Sequence, residues 1–184
     1  MILEVKNISK NFEFREHFGH KQICLEVLND ISFNLESGEN LSILGQSGSG
    51  KSTIARLLVH HYDPTSGSIS IGGQHIDDME LRSLNDQISY VSQDLFLFDR
   101  SILENIRVGR PSSTDMEVYE AAKRAQCDEF IKDLENGYET NVGTAGNRLS
   151  GGQRQRISFA RAILKDAPIV VLDEATAFVD PENE

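Results

Sequence analysis

Long apolar runs are missing from this chain. No stretch approaches the roughly 18 consecutive apolar residues of a membrane-spanning helix, and the opening MILEVKNISK carries no signal-peptide pattern. The chain is therefore expected to be soluble, with any membrane role reached through a partner. Cysteine is scarce as well. Cys24 and Cys127 stand far apart, form no metal-ligand spacing, and read as unpaired thiols of a reducing cytosol. Positive charge is in deficit: 18 Lys and Arg against 29 Asp and Glu leave a net charge of −11. A nucleic-acid binder usually shows a basic face, so this balance argues against nucleic acid as a partner. Any phosphate site here must make its positive potential locally. Internal repeats and low-complexity tracts are also absent. What remains is an ordinary globular composition, 39% hydrophobic and 26% charged over 184 residues. That is enough chain for one domain with its own core, with room for a sub-lobe.

Periodicity gives a coarse map. MILEV and VLNDISFNLESGENLSIL read as alternating strands, the second broken at Gly38, and the polar EFREHFGHKQIC between them, with His17, Gly19 and His20, reads as a loop. NLSILG reads as a strand ending in glycine. KSTIARLLVHHY reads as a helix with Ile54, Leu57, Leu58 and His61 on one face, and SGSISIGGQHI alternates like a hairpin. MELRSLNDQISYVSQD gives a short helix and then a strand. STDMEVYEAAKRAQCDEFIKDL is helical, with Ser113 or Thr114 as its cap, and SGGQRQRISFARAILKD is a further helix closed by Pro168. IVVLD is the last strand, short and β-branched enough to be buried on both faces. Strands alternating with helices predict an α/β fold with a mostly parallel sheet. Residues 95–147, poor in strand signals, predict a helical insertion whose internal loop is RPSST.

Three local patterns carry chemistry. GQSGSGKST, from Gly45 to Thr53, fits the phosphate-loop spacing between a strand and a helix. Gly45, Gly48 and Gly50 let the backbone curl so that its N–H groups, with those of Gln46, Ser47 and Ser49, face phosphate oxygens. The helix start adds its dipole. Lys51 supplies a point charge for the β- and γ-phosphates, and Ser52, beside Thr53, offers a hydroxyl to Mg²⁺. The second pattern is Asp173–Glu174 at the carboxyl end of the last strand, where ligands of open α/β sheets bind. Asp173 is the candidate Mg²⁺ partner. Glu174, one step on and facing elsewhere, suits a general base for water. The third is LSGGQ, Leu149 to Gln153. Ser150 and Gln153 have capping-box spacing, and Gly151 and Gly152 bare the backbone at a helix start, making a second anion site. One nucleotide needs one cradle. The simplest use of a second is to close on a nucleotide held by another copy.

Taken in order, GQSGSGKST, Gln93 in VSQD, LSGGQ and IVVLDEAT resemble the nucleotide-binding domain of ABC transporters, over essentially the whole chain. The resemblance implies a RecA-like core of the P-loop NTPase kind, a small antiparallel β-subdomain and a helical signature subdomain. Residues 95–156 would form the helical part, and 1–94 with 157–184 the rest. It implies ATP and Mg²⁺ as ligands, held between Gly45–Thr53 of one domain and Ser150–Gln153 of a second packed head to tail. Gln93 would touch Mg²⁺ and the lytic water and link to a transmembrane domain. Asp180 would be a dimer contact, and Phe12 in VKNISKNF would stack on adenine. Residues such as DLFLFDRSILENIRVG and DEATAFVDPENE are similar to exporter subunits, whereas FREHFGHKQIC is similar to some importer ATPases. A location at the cytoplasmic face of the membrane, through a partner, is implied as well.

The chain also departs from the family pattern. The five histidines, 17, 20, 60, 61 and 75, all precede Asp173, whereas the family places a γ-phosphate histidine after it. A sheet cut at Glu184 would leave the last strand with a bare neighbour position, which invites pairing. Thr144 replaces a usual glutamate before the signature, and Phe178 a small residue before Asp180. The alternatives are therefore an ATP-binding module with little hydrolysis, or a soluble ABC-type ATPase of DNA repair or translation.

Overall fold

The computed structural model describes residues 1–15 and 22–173, and the chain divides into two compact units at Ile88/Ser89. In the first unit, β1 (Leu3–Arg15) and β2 (Gln22–Leu35) form a long antiparallel hairpin. β1 also pairs antiparallel with β3 (Ser66–Ile71), which pairs with β4 (Gln74–His75). The sheet order is β2-β1-β3-β4. Leu3, Val5, Ile8, Leu28, Ile69 and Ile71 are buried, as expected for a sheet with one face on a core. β1 bulges near Asn7, which stands at φ 48 and donates its backbone N–H to Ser32 Oγ at 2.8 Å.

The hairpin reaches further than the sequence reading placed it. Much of EFREHFGHKQIC is strand, because Phe12↔Leu25 and Phe14↔Ile23 pair across it while Glu13↔Cys24 falls between them. This is a period-2 pattern hidden in polar composition. Residues 16–21, including His17, Gly19 and His20, lie outside the described residues. The expected strand over NLSILG is not formed. Residues 41–46 run as irregular chain, with Leu41, Ile43 and Leu44 exposed. A strand exists only as part of a ladder, and among the described residues none pairs with this segment. The expected β3–β4 hairpin is present, turning at Gly72–Gly73.

α1 (Lys51–Leu58) buries Ile54, Ala55, Leu57 and Leu58. His61 lies beyond it and is exposed, contrary to its expected place on that face. The helix ends at Val59 because His60 takes φ 55, which no right-handed turn can continue. α2 (Leu81–Gln87) leads into β5 (Ile88–Val91), the short helix and strand expected there.

The second unit is largely helical, with α3 (Ile102–Arg107), α4 (Asp115–Arg124), α5 (Asp128–Lys132) and α6 (Gly151–Lys165). Their core includes Leu97, Ile102, Ile106, Val118, Ile131, Val142, Ile157 and Leu164. RPSST is the irregular link between α3 and α4, and Thr114 caps α4 through a full capping box with Glu117. The single helix expected from there to Leu134 is instead two, because Gln126 sits at φ 55 and breaks the ladder between α4 and α5. α6 ends at Asp166, φ 55, two residues before Pro168. β6 (Ile169–Leu172) then pairs with β5.

Burial on both faces of β6 is corrected: Ile169 is 3% exposed, but Val170 and Leu172 are 53% and 54% exposed. Both line a cavity of about 580 Å³ beside Phe159 and Ile163 of α6. Among the described residues β5 is the one strand beside β6.

Candidate nucleotide site

The glycine loop from Gly45 to Ser49 is open to solvent, and only Gly50 at its end is buried. Gly48 and Gly50 take φ 79 and 91, which favour glycine. Gly50 is also sterically fixed: a Cβ there would lie 2.7 Å from Leu28 Cδ2 and 3.1 Å from Val27 O. The loop turns through Ser49 N–H donating to Gln46 O at 3.2 Å, and Ile54 N–H donates to Gly50 O at 3.0 Å to start α1. Gly50 provides no capping side chain and the first turn holds no acid, so the positive end of α1 is left for an external anion. Lys51 folds back over the loop, its Nζ donating to Gly45 O and Gln46 O, both at 2.8 Å. Ser52 and Thr53 follow in the first turn, half-buried.

Phe12 lies in the same unit, half-buried on β1. Its ring meets Tyr62 edge-on at 5.4 Å and stacks on Phe14 at 6.5 Å. Lys10 Nζ stands 5.1 Å from the Phe12 centroid and donates to Asp63 O at 2.7 Å. An aromatic surface flanked by a cation suits the π-face of a base.

In the second unit Asp173 directly follows β6 and is 5% exposed. Its N–H donates to Val91 O at 2.9 Å, and its Oδ2 accepts from Tyr90 Oη at 3.1 Å. Gln93 is exposed, in the bend that follows β5, where Ser92 Oγ donates to Asp94 O at 2.7 Å. Glu174, Phe178 and Asp180 lie outside the described residues. Ser150 caps α6 by the expected box: its N–H donates to Gln153 Oε1 at 2.9 Å, and its Oγ accepts from Gln153 N–H at 3.2 Å. Gly151 and Gly152 open the helix. Leu149 is buried, and its carbonyl accepts from Arg154 Nη1 at 2.7 Å. Thr144 belongs to a short 3-10 turn before the signature.

Two features escaped the sequence reading. The first is Tyr90, on the strand beside Asp173. The second is Arg161 with Asn105. Asn105 is fully buried; its Oδ1 accepts from Phe98 N–H at 2.9 Å and its Nδ2 donates to Phe98 O and Ser101 O at 3.0 Å. Arg161 donates to Asn105 O and Oδ1 at 2.6 Å and to Phe96 O at 2.7 Å. Burial pushes its guanidinium down to about 10. The pair ties the segment after Gln93, with exposed Phe96 and Phe98, to the helix that Ser150 begins. A signal for it did exist: Ile157, Ala160, Arg161 and Leu164 share one apolar stripe, and a cation inside such a stripe points to a buried network.

These elements match known proteins. The ABC transporter family model covers residues 28–177. The beta-(1→2)glucan export ATP-binding/permease protein NdvA of Agrobacterium fabrum is 50% identical over 182 residues, 98% of this chain and 31% of that protein. An ATP-dependent lipid A-core flippase of Legionella pneumophila is 46% identical over 184 residues, all of this chain and 31% of that one. A solved bacterial Atm1-family ABC exporter with ATP bound is 40% identical at a TM-score of 0.87, covering 98% of this chain and 30% of that one. The chain belongs to the ABC transporter family, with its P-loop NTPase fold, and covers the nucleotide-binding part. It spans about a third of the length of these relatives. No helix among the described residues is long and apolar enough to cross a membrane.

Proposed function

We propose that this chain binds and hydrolyses MgATP in a head-to-tail dimer, and so powers export through a transmembrane partner at the cytoplasmic face of the membrane. The observation that carries the reading is the occurrence, in one chain, of an anion-ready helix start at Gly50–Lys51 and a second glycine-bared start at Ser150–Gln153. One nucleotide needs only one of them. The names of the relatives, an export protein, a flippase and an exporter, support the direction of transport. In this reading residues 95–156 are the helical signature subdomain, and the rest comprises an antiparallel β-subdomain, to which the β2-β1-β3-β4 sheet corresponds, and a RecA-like core with a mostly parallel sheet.

The roles follow from the residue chemistry. Backbone N–H groups of Gly45–Thr53 and the Lys51 ammonium hold the triphosphate, while Phe12 packs on adenine. The hydroxyl of Ser52, the amide oxygen of Gln93 and the buried carboxylate of Asp173 are all oxygen donors, the set a hard divalent cation takes. Mg²⁺ bound there would neutralise charge on the β- and γ-phosphate oxygens. Glu174 takes the proton of the attacking water, and the leaving ADP oxygen departs on the opposite side of the γ-phosphorus. Leu149–Gln153 of the second copy closes over the γ-phosphate, and Gln93 reports its presence to the membrane partner.

The test is phosphate release by the purified chain with MgATP. Glu174→Gln is expected to lower turnover by about 10²–10⁴-fold, the usual worth of a positioned base, while leaving binding intact. Turnover unchanged by the substitution removes Glu174 from that role. Binding without turnover in the unsubstituted chain identifies a nucleotide-binding module instead.

A further inference from the structure

We propose that Tyr90 is a positioning residue for the nucleotide-bound cation, acting through the carboxylate of Asp173. The inference rests on the reading of Asp173 as the cation-side acid of the nucleotide site. β5 holds Asp173 at two points. Val91 O fixes its backbone at 2.9 Å, and Tyr90 Oη fixes Oδ2 at 3.1 Å. Alternation along β5 makes this possible: Ser89 and Val91 are buried at 3% exposure each, and Tyr90 between them is sent to the other face. A carboxylate at 5% exposure has lost most of its water and must find donors within the protein.

The kind of donor matters. A lysine or arginine there would compensate the negative charge that a divalent cation needs. The phenol hydroxyl is neutral, so it fixes the plane of the carboxylate and leaves its charge in place. Tyr also has only two side-chain torsions, so its donor is placed at small entropic cost. Partners of this kind, one bond removed from the metal, orient the ligating group and set the affinity of the site.

The test is calorimetry of ATP binding to the chain and to Tyr90→Phe, with Mg²⁺ and with EDTA. Phe keeps the ring and removes only the donor. We expect Tyr90→Phe to weaken MgATP binding about tenfold and to leave Mg-free ATP within about twofold, the pattern of a lost outer-shell bond. Asp173→Asn should remove the Mg²⁺ enhancement, and adding Tyr90→Phe to it should change nothing further. A melting curve for each variant confirms that both arms measure folded protein. An Mg²⁺ dependence that Tyr90→Phe does not move, or equal losses in both arms, overturns the proposal. If the unsubstituted chain binds nucleotide in neither arm, the nucleotide reading itself fails, and the proposal with it.

Discussion

Replacing Arg161 by Met decides between two opposed effects. Met keeps an unbranched apolar stem and removes the charge and three donors. Removal of a buried charge can stabilise: replacing a buried ion pair by apolar residues is often neutral or favourable by about 1–4 kcal/mol. A guanidinium pushed down to about 10 by burial carries such a burden. Against this stand the acceptors left behind. Phe96 O belongs to an exposed residue and can turn to water, and Asn105 Oδ1 keeps the Phe98 N–H at 2.9 Å. The carbonyl of Asn105 has no such recourse. It lies in the last turn of α3 on a fully buried residue. The neighbouring carbonyls of Glu104 and Ile106 accept from Val108 and Gly109, whereas Asn105 O accepts from Arg161 Nε at 2.6 Å. Stranding a buried acceptor costs about 1–3 kcal/mol, and hydrogen bonds to a charged group are the stronger kind. The second effect should win, so Arg161→Met is expected to destabilise the chain by about 2 kcal/mol, with Arg161→Lys in between. Urea unfolding followed by circular dichroism measures it, and faster amide exchange at Phe98 locates it. A variant as stable as the parent, or more so, refutes the reasoning and shows the charge to be a net burden.

Cys24 is exposed and should alkylate at once, whereas Cys127, fully buried with its Sγ donating to Ala122 O at 3.2 Å, should label only on unfolding. Burial raises the Cys127 thiol from 9.0 to about 12, so its contribution to stability is complete below pH 9.0 and is lost as pH climbs toward 12. The urea midpoint should therefore fall over that window more in the parent than in Cys127→Ala. Thr114→Ala, which breaks the capping box of α4, should cost about 1 kcal/mol in the same assay. It should also raise the Glu117 carboxyl, which the backbone and side-chain hydrogen bonds of Thr114 hold below its ordinary value, and a carboxyl titration by NMR reads that shift.

Elements whose signals are local were legible in the sequence. The caps at Thr114 and Ser150, the turn at Gly72–Gly73 and the glycine loop before α1 each depend on a few adjacent residues, and each is present in the structure. What failed depended on partners distant in sequence. Residues 41–46 have the composition of a strand but no ladder among the described residues, and Val170 and Leu172 are β-branched or apolar yet exposed. The arms of the long hairpin have the polar composition of a loop, and only the alternation of Phe12, Phe14, Ile23 and Leu25 marks them as strand. Tyr90 acts through one hydrogen bond across 83 residues, which no window of periodicity can reveal, whereas for Arg161 the apolar stripe of α6 marks the buried cation but not its partners Asn105 and Phe96, 56 and 65 residues away.

The central claim is that the backbone of Gly45–Thr53 and the ammonium of Lys51 grip a triphosphate. In the structure Lys51 Nζ rests on two carbonyls of its own loop, so Lys51→Ala should leave the fold in place while removing the charge that phosphate would draw away from them. Calorimetric titration of the folded chain with MgATP is predicted to give saturable heat that disappears in Lys51→Ala at unchanged melting temperature. Equal, saturable binding by both proteins, or none by the unsubstituted chain, would contradict it.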